Sequence, residues 1–140
     1  MGLAASKQEA FWEACGFGDK LKVKKYIAEG IDVNWVSYTH NSCAIHVASQ
    51  GKIEIVQMLL DARCNIDAKD DRGNLALHHA AMKGHADIIE LLIKAGSDIN
   101  CQDKNGWTAL INAAYFCQLD AVKMLLKYNC SVTLQNQVFV

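Results

Sequence analysis

The chain has 140 residues, 51% hydrophobic and 21% charged, which fits one folded domain with a buried core and excludes a disordered segment. A formal net charge of -1 and a pI near 6.5 give no electrostatic reason to expect nucleic acid or an anionic membrane surface as a partner. No apolar run approaches the roughly 20 residues of a membrane span, so no membrane is expected to engage this chain by itself.

The first residues, "MGLAAS", lack the charged and apolar regions of a secretory signal. They fit the loose Met-Gly-x-x-x-Ser pattern for myristoylation, a match short enough for chance or a cloning remnant to explain. Six cysteines (Cys15, Cys43, Cys64, Cys101, Cys117 and Cys130) are spaced 28, 21, 37, 16 and 13 residues apart, with no Cys-x-x-Cys pair. Reduced thiols in a cytoplasmic or nuclear protein are therefore expected.

From residue 9 the chain reads "EAFWEACGFGDKLKVKKYIAEGIDVNW", two short helices joined at Gly18. Trp12 is placed on the first helix as a structural residue, and Phe17 either plugs the end of the molecule or meets a partner. Lys20, Lys22, Lys24 and Lys25 are read as a solvated helix face. Gly51 follows Gly18 by 33 residues and Gly84 follows by another 33. The same period joins Gly73 to Gly106 and Leu77-x-x-Ala80-Ala81 to Leu110-x-x-Ala113-Ala114. Apolar segments recur with it: Val23, Tyr26, Ile27; Val56, Met58, Leu59, Leu60; Ile89, Leu91, Leu92, Ile93; and Val122, Met124, Leu125, Leu126. Four units result: 4–36, 37–69, 70–102 and 103–135, with 136–140 starting a further hairpin or improvising a cap.

Each unit is predicted to hold a narrow, alanine-rich helix, as in Ala76 to Met82, and a second helix with a broad apolar stripe, as in Ala86 to Ala95. The second helix stops at a left-handed position occupied by Gly30, Arg63, Gly96 and Asn129 in turn, of which Arg63 is the strained choice. Asn105-Gly106 predicts a hairpin between units. In the second unit the strict period would put Ala44 in a core leucine place. A shift of one residue aligns "AIHVA" with "ALHHA" and puts Ile45 there, at the cost of one extra residue in the hairpin before and one fewer before Gly51. One unit cannot bury its own apolar face, whereas stacked units can, so a solenoid is expected.

The third and fourth units, "DRGNLALHHAAMKGHADIIELLIKAGSDIN" and "DKNGWTALINAAYFCQLDAVKMLLKYNCSV", resemble ankyrin repeats over roughly residues 8 to 135. Gly73, Leu77, His78, Ala80, Ala81, Gly84, His85, Ile89, Leu91, Leu92, Gly96, Asp98 and Asn100 match the family pattern. The resemblance implies an all-α fold of stacked helix-turn-helix units with short β-hairpin loops. There is no proline in the chain, so Ala10, Ala44, Ala76 and Ala109 stand where the pattern opens its helix with one. The first unit resembles a starting cap, and no matching cap closes the other end. The chain is accordingly expected to be a monomer or part of a longer chain.

The candidate chemistry dissolves into the repeat. The cysteines occupy small-residue places and are read as packing groups. His78, and His46 under the shifted register, take the histidine place of the first helix, and His85 that of the turn. Five histidines spread over the units do not converge on a metal. Nothing is spaced as a nucleophile with its base, so neither catalysis nor a cofactor is expected.

In the family the hairpin tips and first helices form a concave groove for a protein or peptide. That maps to Tyr38, His40, Lys69, Asp71, Arg72, Asn74, Met82, Lys83, Lys104, Asn105, Trp107, Tyr115 and Phe116 here. The expected function is a non-catalytic intracellular interaction module. The alternative is a regulatory or targeting domain of a larger enzyme, channel or acyltransferase, contacting its own chain or recruiting a substrate. Asn34 and Asn100 also match the place at which repeats of this kind are hydroxylated by an asparaginyl hydroxylase.

Overall fold

Eight helices in four pairs make up residues 3–132, the part of the chain that the computed structural model describes, with side chains from Lys7 onward. The first pair is α1 (Leu3–Phe17) and α2 (Lys20–Ala28), followed by β1 (Val36–Ser37) and β2 (Ser42–Cys43). Then come α3 (Ala44–Ala48) with α4 (Ile53–Asp61), α5 (Ala76–Lys83) with α6 (Ala86–Lys94), and α7 (Ala109–Tyr115) with α8 (Leu119–Lys127). The predicted segment 136–140 lies outside the described residues, as does the start of the "MGLAAS" motif.

The pairs stack as an all-α solenoid. The first helices form one layer, α1 on α3, α3 on α5 and α5 on α7, and the second helices form another, α2 on α4, α4 on α6 and α6 on α8. The layer of first helices is tight because Ala14, Cys15, Ala48, Ala80, Ala81 and Ala113 bury their small side chains between neighbours. The larger groups, Val56, Leu59, Ile89, Leu92 and Leu125, fill the space toward the second helices. Burying each such side chain contributes about 1.5–3 kcal/mol. The lysines of α2 are exposed, and only Val23 of that helix is buried.

A repeated contact fixes the step from unit to unit. Lys52, His85 and Gln118 precede their second helices and lie over Gly18, Gly51 and Gly84 of the unit before. A Cβ on Gly51 would sit 3.1 Å from His85 Nε2, and one on Gly84 would collide with the Gln118 amide. Gln118 also donates to the Met82 carbonyl at 3.0 Å. Cys117 holds the next place in this glycine series with φ +56° and an exposed side chain, so packing does not explain it. It replaces a glycine in a backbone that needs one. Burial does explain Cys15, whose thiol is pushed up to about 12, and Cys64, pushed up to about 11. Arg63 and Asn129 take φ +60° and +59° after α4 and α8, where Gly30 and Gly96 close α2 and α6.

The second unit adopts the shifted register. Its helix opens at Ala44 as α5 opens at Ala76, and Ile45 is buried, although Ala44 is buried too. The extra residue falls in the β1–β2 loop, where Asn41 takes φ +51°, and the missing one shortens α3 to five residues before Gly51. Ala10, in contrast, opens no helix: α1 has begun at Leu3 and runs through it. Only this first loop pairs strands among the described residues, with Val36 opposite Cys43. At Asn105-Gly106 only Gly106 has positive φ, so the two-residue hairpin turn, which needs both, does not form.

Two devices start the first helices. His46 and His78 accept the backbone N–H of Cys43 and Leu75 through Nδ1, each at 2.9 Å. Nε2 therefore carries the proton and donates onward, from His46 to Ala68 O at 2.8 Å and from His78 to Cys101 O and Trp107 O at 2.9 and 3.0 Å. Where Ile111 replaces the histidine, Thr108 caps the helix instead, accepting from Ile111 N at 3.3 Å. Each imidazole thus joins the start of its helix to the loop of the next unit.

Burial pushes the pKa of His46 and His78 down, against hydrogen bonds that would raise it. In the unfolded chain the rings titrate near ~6.5, so below that pH the unfolded state binds protons the folded rings refuse. Stability is full above about pH 6.5 and lost as pH falls toward the lowered folded values. The urea midpoint followed by circular dichroism should drop between about pH 7 and about pH 5, more shallowly in His78→Asn. An unchanged midpoint over that range would refute the account. At the strained positions, Arg63→Gly and Cys117→Gly should each stabilise by about 0.5–1 kcal/mol in urea titrations.

Candidate functional site

The loops between units are built on aspartates 33 residues apart. Asp70 Oδ1 accepts the N–H groups of Arg72 and Asn74 at 3.0 and 2.9 Å, and its own N–H donates to Asn74 O. Asp103 repeats this with Asn105 and Trp107, at 2.8 and 2.9 Å, and with Trp107 O. An exposed loop becomes a fixed finger because its backbone donors are satisfied by its own carboxylate. Neighbouring fingers touch directly, the Lys104 N–H donating to Arg72 O at 3.0 Å.

The first finger lacks the aspartate and has Ser37 in its place. Ser37 and Thr39 both donate to Glu9 Oε1 of α1, at 2.7 and 3.1 Å, and His40 Nδ1 lies 2.7 Å from Thr39 Oγ1. The His40 ring stacks on Trp12 with centroids 4.1 Å apart and planes 17° from parallel. Serine, histidine and glutamate here suggest a catalytic set, but the geometry is that of a bracket. Ser37 is fully buried, and both hydroxyls crowd the same ring nitrogen and the same carboxylate oxygen. The finger is tied to α1.

Fingers and first helices enclose a groove of about 630 Å³, bounded by Trp12 of the first unit, His40 of the second and Arg72, His79, Met82 and Lys83 of the third. His79 Nε2 lies 2.8 Å from Asp70 Oδ2, with both side chains largely buried. Burial opposes the charge on Asp70, yet the His79 ring and the Asn74 and Arg72 N–H groups outweigh it and bring the carboxyl down to about 2.

The sequence-predicted residues divide within this geometry. His40, Asp71, Arg72, Met82 and Lys83 come together around the groove. Trp107, Tyr115 and Phe116 form a second cluster on the fourth unit, with ring centroids 4.9 and 5.1 Å apart; Tyr115 is 63% exposed and Phe116 46%. Tyr38 is 82% exposed and meets Trp35 edge-on, while Lys69, Lys104 and Asn105 lie exposed on the loops. Asn74 corrects the expectation of a free surface residue. It is only 5% exposed, because the finger folds its side chain inward, and its Oδ1 has no hydrogen-bond partner. Phe17 plugs nothing and is 80% exposed.

Two residues of the site escaped sequence reasoning. Trp12 occupies the place of His78 in the first unit, an alignment that would have put it against the first finger. His79 held no repeat place, and its pairing with Asp70 joins a variable position to a repeated one. Asn34 and Asn100 are exposed, and each uses Oδ1 to accept a backbone N–H from the next loop, Asn65 N and Ser131 N, both at 2.7 Å.

Comparison with known families places residues 46–136 on a family model for ankyrin repeats, in three copies. No curated protein matches the sequence. Among the described residues no helix is long and apolar enough to cross a membrane.

Removing the Asp70 carboxylate frees two backbone N–H groups and leaves His79 without its partner. Asp70→Ala should cost about 2–3 kcal/mol in urea unfolding, whereas Asp71→Ala, next to it on the tip, should leave the midpoint unchanged. Equal effects of the two would remove the special role of Asp70.

Proposed function

The chain belongs to the ankyrin-repeat family, and from that membership we propose that it is a non-catalytic module holding a protein or peptide partner along its groove. Ankyrin repeats are generally protein–protein interaction modules and typically carry no catalysis. The observation that carries the partner reading is the aromatic cluster of Trp107, Tyr115 and Phe116 on the fourth unit, beside the groove residues of the third. Monomeric proteins seldom leave such side chains in water, and interface hot spots are rich in tryptophan and tyrosine. The Trp12–His40 stack, formed between the first and second units, is a second aromatic surface and lies in the groove together with the polar wall of Asp70, Asp71 and Arg72.

The fingers support the reading because they are preorganised. Their backbone groups are already bonded, so a partner orders little on binding and the loss of conformational entropy is small. Binders can be obtained by selecting a displayed library of random 12-residue peptides on the whole protein. Trp107→Ala combined with Tyr115→Ala should weaken the selected peptides by tens of fold, about 2 kcal/mol, with helical circular dichroism unchanged. Tyr115→Ala alone, which removes a largely exposed ring, separates lost contact from lost fold. Full binding in both variants would move the partner site off this groove.

A further inference from the structure

We propose that Glu9 of α1 is a positioning residue for the groove. It lies outside the groove's lining and holds one wall, made by Trp12 and the first finger, in the shape that a partner meets. The proposal rests on the partner reading above and adds how that surface is set.

The first step of the stack is clamped differently from the other two. His46 and His78 grip the next loop through buried hydrogen bonds, and neither lines the groove. Trp12 takes their place in the first unit, and its indole has no nitrogen that can accept. Its N–H is buried without a hydrogen-bond partner, so its hold on the second unit is the stack on His40. Both rings line the groove. At this step the clamp between units is therefore also a surface offered to a partner.

Glu9 completes that clamp through a fixed set of protons. Ser37 and Thr39 have one hydroxyl proton each, and both donate it to Glu9 Oε1. Thr39 Oγ1 is left to accept from His40, so Nδ1 carries the imidazole proton and donates it over 2.7 Å. This tautomer is the reverse of that in His46 and His78, whose Nδ1 accepts. The bonds run from α1 through Glu9 and Thr39 to the edge of the His40 ring, while Trp12 holds its face.

The first finger does not hold itself as its neighbours do. The second and third are shaped by Asp70 and Asp103, which accept the fingers' own N–H groups, and they are joined by the Lys104 N–H on Arg72 O. In the first, the hydroxyl of Ser37 is turned to α1 instead. The pairing of Val36 with Cys43 and of Ser37 with Ser42 keeps the hairpin together but does not set its angle to the helix. Without the Glu9 oxygen both hydroxyls lose their common acceptor and His40 loses its tie to α1. A partner must then order this wall on binding, at a cost in affinity.

The test uses peptides selected from the displayed library on the whole protein. Glu9→Ala should weaken them about three- to tenfold. Glu9→Gln should bind as the wild type does, because its amide oxygen can still accept from both hydroxyls. In a His40→Ala background Glu9→Ala should have no further effect, since it acts through that ring. Proton NMR adds a readout that a general loss of stability does not move. Stacking on Trp12 shifts the His40 ring protons upfield, and they should return toward free-histidine positions in Glu9→Ala but not in Glu9→Gln. Full affinity in Glu9→Ala, for peptides that Tyr115→Ala still weakens, would overturn the positioning role and leave the partner reading intact. Losses that add in the double variant, or that Glu9→Gln reproduces in full, would overturn it as well. Peptides indifferent to Glu9, Trp107 and Tyr115, or no enrichment at all, would overturn both.

Discussion

No helix pair in this chain has enough apolar area to stand alone, and every other feature follows from how one pair is fastened to the next. Two of the three steps are fastened twice, and the first by the glycine contact alone of the two. On one side a buried imidazole, His46 or His78, ties the start of a helix to the carbonyls of the following loop. On the other, the residue before each second helix covers a glycine of the preceding unit. Both contacts are directional, so they fix spacing and rotation where alanine packing alone would let the units slide. The imidazole can serve only in its neutral form, because one nitrogen must accept and the other donate. Stability is thereby coupled to pH through residues that touch no ligand.

That division of labour explains where function resides. Residues that recur every 33 positions are used up in holding the stack: alanines between first helices, aspartates inside the fingers, glycines beneath Lys52, His85 and Gln118. The residues that do not recur, Trp12, Arg72, Met82, Lys83, Trp107 and Tyr115, line the surface that the stack presents. The scaffold keeps this surface rigid without prescribing its chemistry, and a solenoid built in this way offers a shaped, open groove instead of a closed cleft. Its polar clusters act accordingly. Glu9, Ser37, Thr39 and His40 meet in the structure as a serine, a histidine and a carboxylate would in a catalytic set, yet their hydrogen bonds converge on one another and anchor a loop.

Much of the fold was legible in the sequence because period, glycine placement and apolar stripe are one-dimensional signals. Ile45 could be assigned to the core, with an insertion before it and a deletion after, since only that register spares a leucine place from alanine. The left-handed positions Arg63 and Asn129 were equally readable. What was lost depends on side-chain direction. Asn74 lies two residues from Arg72 on the same finger, but the Asp70 carboxylate turns that stretch of backbone so that one side chain enters the wall while the other faces water. The period puts Cys117 in a glycine place, but the packing role read for it from its size fails, since its side chain is exposed and its backbone left-handed. The hairpin suggested by Asn105-Gly106 gave way because the Asp103 carboxylate satisfies the same N–H group that strand pairing would use.

The engagement of the fingers' own acids also sets the character of the site. A carboxylate that accepts two backbone N–H groups is fixed in place and held in its charged form, but neutral donors do not cancel its charge. The wall of the groove therefore presents Asp70 and Asp71 beside Arg72 and Lys83, a mixed surface in a chain of net charge -1. Which charge is anchored and which stays hydrated follows from the loop geometry, and composition alone, which argued only against nucleic acid and membranes, had no means of showing it. The same anchoring makes the finger robust. Asp70 stays ionised down to about pH 2, so the finger that carries Arg72 keeps its shape over any pH at which the histidines still permit the stack to form.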